Sequence, residues 1–303
     1  MIDGFVVIDK LAGITSHDVV SRVRRILGTR KVGHTGTLDP FATGVLPVAV
    51  NDGTKAIPFL DEGVKCYEAV MQLGVATDTL DMTGTVIRTA EWQAVTREQF
   101  ETVLKQFTGR LSQIPPMYSA IKRDGQPLYK LARQGQVIER AAREIEVHSL
   151  ELLSFALPFV SFRVVCSRGT YVRTLADDIG ENLGSAGALM ELRRTASGPF
   201  EISSSVSLEG LEEAVRAGTL ETLSVTPYAA LSHLPDVPLK DCGVALVRHG
   251  RSPGWHDTEV TAPAACDDVT LIRLTRNGTL IAVAECSSCG DDGPRIILKR
   301  VFM

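Results

Sequence analysis

The sequence predicts a chain of mixed strands and helices that closes with a small all-β part. Three observations predict it. A buried strand, "GFVVIDK", runs directly into a helical pattern, "ITSHDVVSRVRRIL". The stretch "YEAVMQLG" puts Tyr67, Ala69, Met71 and Leu73 on one face of a strand of period two. Near the end, Asn277-Gly278 lies between two apolar runs, the strongest short hairpin signal.

In order along the chain, Ser16 is a plausible N-cap for the first helix, and Asp18 suits its positive first turn. Val19, Val20, Val23, Ile26 and Leu27 form its apolar stripe, with Arg22, Arg24 and Arg25 off it. After the Tyr67 strand comes a Thr/Asp-rich loop, "VATDTLDMTG", with Asp78 and Asp81. Thr96 and Gln99 read as a capping box, followed by Phe100, Val103, Leu104 and Phe107 at helical spacing and a stop at Gly109. "SQIPPMYSAIKRDGQPLYKLARQGQ" breaks the regular pattern. Its paired prolines, the Asp124-Gly125 turn, and Tyr118 and Tyr129 among Lys122, Arg123, Lys130 and Arg133 fit either a solvated loop with an amphipathic helix or a grip on a single-stranded or flipped nucleic acid. "SFRVVCSRGTYVRTLADDIGENLG" reads as strand, turn at Gly169 and helix. Val172, Leu175, Ala176, Ile179 and Leu183 form the stripe, and Arg173 stands near the helix start. Prolines cluster between His233 and Asp241, where a domain boundary is expected. "RIILKRVFM" is a terminal strand.

The bulk numbers fit a globular protein of one large or two ordinary domains: 303 residues, 44% hydrophobic and 22% charged. The net charge of −4 counts mildly against a nucleic-acid binder, but its distribution matters more. Six cations (Lys10, Arg22, Arg24, Arg25, Arg30, Lys31) face one Asp between residues 10 and 31. The start lacks the basic and apolar regions of a signal peptide, and no apolar run is long enough to span a membrane. The cytoplasm is therefore the expected compartment, with reduced thiols. Cys66 and Cys166 sit in apolar runs and read as core. Cys242, Cys266, Cys286 and Cys289 suggest a zinc site only weakly, since just one close C-x-x-C pair exists. No metal is expected.

The stretch "KVGHTGTLDPFATGVLP" carries one carboxylate, Asp39, among three glycines. Locally, Asp39-Pro40 reads as a helix N-cap with proline at the first helical position. The glycine spacing fits neither a dinucleotide fingerprint nor a P-loop, so no nucleotide cofactor is supported.

A wider pattern changes the weight of that stretch. "GHTGTLDPFATGVLPV" resembles the signature of the tRNA pseudouridine synthases of the TruB type. "DKLAGITSHDVV", "YEAVMQLGVATDTLDMTG", "IPPMYSAIKRDGQPLYKLARQG" and "SRGTYVRTLADDIGENLG" with "LRRT" resemble the family's other motifs, in family order, over most of residues 5 to 200. The resemblance implies an α+β fold, with a mixed, mostly antiparallel central sheet, flanking helices and RNA in a cleft. It implies a catalytic domain over 1–235 with a thumb-like RNA-gripping insertion at about 112–147. A small PUA-like RNA-binding domain over 236–303 matches more loosely.

The implied activity is isomerisation of uridine-55 in the tRNA T arm, without cofactor or metal, by a stand-alone enzyme expected to be a monomer. The reaction breaks the C1′–N1 bond, turns the base and rejoins it through C5, so no redox partner is needed. One carboxylate suffices, by attack on C1′ or by removal of a C2′ proton, and the sequence leaves both routes open. By resemblance that carboxylate is Asp39, and Arg173 is its partner. Tyr67 matches the active-site tyrosine, which stacks on the base and is a candidate for taking the C5 proton; on its own strand it reads as core. His34 matches the residue that fills the space left by the flipped base. Tyr171 and Leu192 match base contacts, and Asp81 matches an aspartate near the site, though "DTLD" equally reads as a capping turn. Lys10, Arg30, Lys31, Lys122, Lys130 and Arg133 are the candidate phosphate contacts.

Overall fold

A computed structural model describes residues 2–61, 63–123, 125–263, 269–288 and 293–302. Its central sheet runs, in spatial order, through strands Ser224–Val225, Gly4–Lys10, Thr43–Val50, Gly187–Ser197, Val64–Leu73, Phe159–Ser167, Arg143–Ala156 and Gly109–Gln113. All neighbours along this path are antiparallel except Gly187–Ser197 beside Thr43–Val50, where Arg193 and Arg194 lie opposite Thr43 and Gly44. The expectation of a mixed, mostly antiparallel sheet holds.

Each face of the sheet is covered by what the apolar periodicity demands. On one face, Tyr67, Ala69, Met71 and Leu73 are all buried, as their alternation required. Helices Ser16–Leu27, Arg97–Gln106, Val172–Asn182 and Leu208–Ala217 pack there through Val19, Val23, Phe100, Leu175, Ile179 and Leu211. On the other face, Phe5, Val7, Val45 and Ala49 meet Phe200, Ala230 and Leu231, and also Leu280, Val283 and Phe302 from the far end of the chain. That end forms a second sheet, ordered Asp236–Pro238, Thr270–Arg276, Thr279–Ser288, Pro294–Val301. Its hairpin turns at Asn277 and Gly278, both at positive φ, the conformation for which Asn-Gly is suited. Arg273 ties this sheet to the preceding helical turn, stacking over the Tyr228 ring at 4.5 Å and donating to the Tyr228 carbonyl at 2.8 Å.

The capping box of Thr96 and Gln99 is present, but the helix ends at Gln106 and Gly109 opens the next strand. The first helix corrects one expectation. Its N-cap is Thr15, which forms a reciprocal capping box with Asp18, and Ser16 is the first helical residue. Asp39 is not an N-cap either, because no helix follows it; Asp39 and Pro40 sit in a turn closed by the Ala42 N–H on the Asp39 carbonyl at 3.1 Å. Asp124 of the expected turn lies outside the described residues. Cys166 is buried, whereas Cys66, on the opposite side of the sheet, is only half-buried because strand alternation turns it outward. Cys286 is disulfide-bonded where reduced thiols were expected: sequence spacing does not reveal which sulfurs approach bonding distance. Cys242 is a free, exposed thiol, and Cys266 and Cys289 lie outside the described residues.

Gly44 is the tightest backbone contact beside the opening motif. It has φ +98°, and an added Cβ would lie 2.2 Å from the Arg194 carbonyl oxygen. Gly44→Ala is expected to destabilise the protein by about 2–4 kcal/mol, through a strained φ and a clash with backbone that cannot move aside. Urea denaturation of the two proteins measures it, and equal midpoints would contradict it.

Candidate functional site

Asp39 and Arg173 are 134 residues apart in sequence and meet in space. The Arg173 guanidinium donates from Nε to Asp39 Oδ2 at 2.8 Å and from Nη2 to Asp39 Oδ1 at 3.2 Å, a bidentate ion pair. Arg173 is 3% exposed and Asp39 about one-third exposed, so the carboxylate presents an edge to solvent while the cation is enclosed. Arg173 is therefore not a helix-surface residue. It faces inward from the second residue of its helix, and its remaining donors find the carbonyls of Thr79 and Tyr118, each at 2.8 Å. Asp81 is buried on the same side, 3.8 Å from Arg173 Nε. Its Oδ1 accepts from the Thr83 N–H and the Thr79 hydroxyl, so Asp81 both ties the turn and lies beside the arginine.

Tyr67 lies on the adjoining strand, directly opposite Arg194, and Leu192 lies opposite Ala69 on the same buried face. Burial pushes the Tyr67 phenol above its ordinary pKa, with Arg194 acting in the opposite sense. Burial also raises Tyr171, whose backbone exchanges two hydrogen bonds with the Gln113 side chain. His34 is half-buried at the end of the short strand Val32–His34, opposite Val48.

Arg194 was not anticipated. It is fully buried, donating from Nε to the Val45 carbonyl at 2.7 Å and from Nη2 to the Gly36 carbonyl at 3.2 Å. The signal lay in "LRRT": consecutive residues of a strand point to opposite faces, so one of two adjacent arginines had to turn inward. Arg193 turns outward and pairs with Asp9 at 2.7 Å.

The arrangement is a carboxylate edge held by a buried arginine beside a buried aromatic ring, with no three metal-ligating side chains gathered among the described residues. Comparison with known proteins gives it a lineage. The model for the TruB family pseudouridylate synthase N-terminal domain matches residues 24–172, and that for the tRNA pseudouridylate synthase B C-terminal domain matches 173–231. The tRNA pseudouridine synthase B of Geobacter sulfurreducens is 53% identical over 302 residues, covering 99% of each chain. The chain belongs to the TruB family of pseudouridylate synthases. As a member it is an isomerase. The tRNA pseudouridine synthase B of Stutzerimonas stutzeri is 43% identical over 98% of this chain and 96% of that protein. Among solved structures, a chain of the Cbf5-Nop10-Gar1 complex matches with a TM-score of 0.76 at 29% identity, covering 99% of this chain and 85% of that one, so the pseudouridine synthase fold is shared.

The cations expected on the RNA side of this TruB-family chain divide into two groups. Arg30, Lys31, Lys122, Lys130 and Arg133 are exposed, with Arg133 5.7 Å from the Tyr129 ring centroid. Lys10 is not a phosphate contact. It is fully buried, and its Nζ donates to the carbonyls of Leu11, Ile14 and Pro40 at 2.9, 2.8 and 3.1 Å. The alternation of the first strand turns it inward, where it braces the residue after Asp39.

Burial lowers the Lys10 pKa from 10.5 to about 8, with Asp39 opposing the shift. The folded value lies below the unfolded one, so between pH 8 and 10.5 the unfolded chain holds more protons and Lys10 makes stability rise with pH. The stability advantage of wild type over Lys10→Met is therefore expected to grow between pH 7.5 and 9.5 in urea denaturation. An advantage that shrinks over that range would refute the assignment.

Proposed function

We propose that this TruB-family chain isomerises uridine to pseudouridine at position 55 in the T arm of tRNA, with no cofactor and with Asp39 as the catalytic carboxylate. The observation that carries the reading is the Asp39–Arg173 pair: one carboxylate, one-third exposed, held bidentately by a buried cation, with the buried Tyr67 near enough to feel the Asp39 charge. The names of the close relatives supply the RNA class, and their near-complete overlap with this chain supports a stand-alone enzyme.

The chemistry needs little more. The T-loop uridine is flipped out of its stack at a cost of about a few kcal/mol, and His34 takes up the vacated stacking space. Asp39 then either attacks C1′, so that uracil leaves with the N1 electron pair, or removes a C2′ proton as that bond breaks. The freed base turns against Tyr67, with Tyr171 and Leu192 bounding it, and C5 rejoins C1′. The C5 proton leaves and N1 gains one, so the sum is an isomerisation with no electrons gained or lost. Because burial raises the Tyr67 pKa, its phenol is neutral at pH 7. It serves better as a stacking surface than as the base for the C5 proton. Arg173 orients Asp39, and Asp81 in turn orients Arg173.

Residues 1–235 form the catalytic domain in this reading, with a thumb-like insertion at about 112–147 and a PUA-like RNA-binding domain at 236–303. The enzyme acts as a monomer in the cytoplasm, where its tRNA is. Among the described residues no helix is long and apolar enough to cross a membrane.

Forming the C–C glycosidic bond must expel the C5 hydrogen. Tritium release from an unmodified tRNA transcript labelled at C5 of its uridines is therefore expected at one equivalent per tRNA with wild type. None is expected with Asp39→Asn, whose tRNA affinity should stay within about threefold, because an amide cannot replace the charged carboxylate. Turnover retained by Asp39→Asn would make Asp39 a turn residue only; binding without release by wild type would point to an RNA chaperone or a guide-dependent enzyme.

Affinity is expected to come chiefly from the exposed cations Arg30, Lys31, Lys122, Lys130 and Arg133. With about four to six phosphates contacted, log K for tRNA should fall with log salt at a slope of roughly −3 to −5. A filter-binding titration between 50 and 300 mM salt, about a sixfold span, reads it; a slope near zero would remove these cations from the RNA surface.

A further inference from the structure

Asp39 sits in a loop with no helix or strand to hold it, so its placement rests on its neighbours. Leu38, immediately before it, is 3% exposed, and both its peptide groups are bonded to one side chain. Ser16 Oγ accepts from the Leu38 N–H at 2.9 Å and donates to the Leu38 carbonyl at 3.2 Å. Ser16 is itself 2% exposed and lies 22 residues away. A hydroxyl is the smallest side chain that can donate and accept at once, which this double bond requires.

The helix start does not need that hydroxyl. Thr15 caps it, accepting from the Asp18 N–H at 3.1 Å, and Asp18 accepts from the Thr15 N–H at 2.9 Å. Ser16 is thus free to hold the loop. Without it, two buried peptide groups beside Asp39 would lose their partners and would recover them only by moving toward water.

We propose that Ser16 is a positioning residue for the isomerisation: by clasping Leu38 from the first turn of the helix, it holds the Asp39 carboxylate where it meets both the Arg173 guanidinium and the reacting sugar. The inference rests on the reading of Asp39 as the catalytic carboxylate. A displacement of about 1 Å at a reacting group costs on the order of a hundredfold in rate. Ser16→Ala is therefore expected to lower the single-turnover rate on tRNA by roughly 10- to 100-fold while the tRNA Kd stays within about twofold.

Two controls separate positioning from stability. Thr15→Ala removes the cap from the same helix end and is expected to lower the melting temperature without lowering the rate of the folded enzyme. Ser16→Thr keeps the hydroxyl and is expected to restore most of the rate. If Ser16→Ala does not fold, Ser16→Cys keeps the volume with only a weak donor and carries the same comparison. Wild-type turnover in the Ser16 variant, or a loss no larger than in Thr15→Ala, would overturn the proposal while leaving Asp39 in place. Turnover by Asp39→Asn in the same assay would instead overturn the underlying reading.

Discussion

A guanidinium enclosed to 3% exposure must find partners for its charge and its donors, and this requirement on Arg173 organises the site. Asp39 from the glycine-rich loop answers the charge. The Thr79 carbonyl answers one nitrogen and the Tyr118 carbonyl another. Three segments with no local reason to meet are therefore drawn to one point: the opening motif, the Thr/Asp-rich loop and the root of the insertion. Removing Asp39 would leave the enclosed guanidinium with only the more distant Asp81 for its charge, a heavier loss than a surface ion pair represents. Asp81 at 3.8 Å adds a second negative charge against the same cation and fixes the turn that carries Thr79.

How much of this was legible in the sequence follows from the range of each signal. The Tyr67 strand, the Thr96 capping box, the helix after Gly169 and the Asn277-Gly278 hairpin are set by neighbours within a few residues, and each forms as read. Lys10, Ser16 and Arg194 misled or escaped because their partners lie 22 to 158 residues away or in a turn that only the fold creates. A lysine in a basic stretch reads as a phosphate contact until the strand's pleat turns it inward. A serine before a helical stripe reads as a cap until its threonine neighbour takes that role. The Asp39–Arg173 pairing came from resemblance to a family, since spacing alone offers no reason to join residues so far apart.

The same distinction explains how a chain of net charge −4 can hold so cationic a centre. Lys10, Arg173 and Arg194 are all buried around Asp39 and Asp81, three positive groups to two negative ones. Lys10 and Arg194 are held largely by backbone carbonyls, whose dipoles compensate charge without cancelling it. Such a centre favours an anion placed within it. Net charge sums over the whole chain and does not describe the local balance at this centre.

The loop that bears Asp39 is glycine-rich, and glycine gives a backbone the freedom to turn tightly at the cost of holding any one conformation weakly. The structure restrains it from outside. Arg194 bonds Gly36 at one end and Val45 at the other, so a single buried side chain spans the segment that contains Asp39. Within that span, Ser16 fixes the residue before the carboxylate, and Lys10 and the Gly13 N–H fix the residue after it. Arg194 reaches both ends from the Gly187–Ser197 strand, which runs parallel to Thr43–Val50, the one parallel junction on the sheet's main path. Gly44 admits that junction by lacking the Cβ that would strike the Arg194 carbonyl. The flexibility written into the loop's sequence is thus cancelled by residues outside it, which leave the edge of one carboxylate exposed.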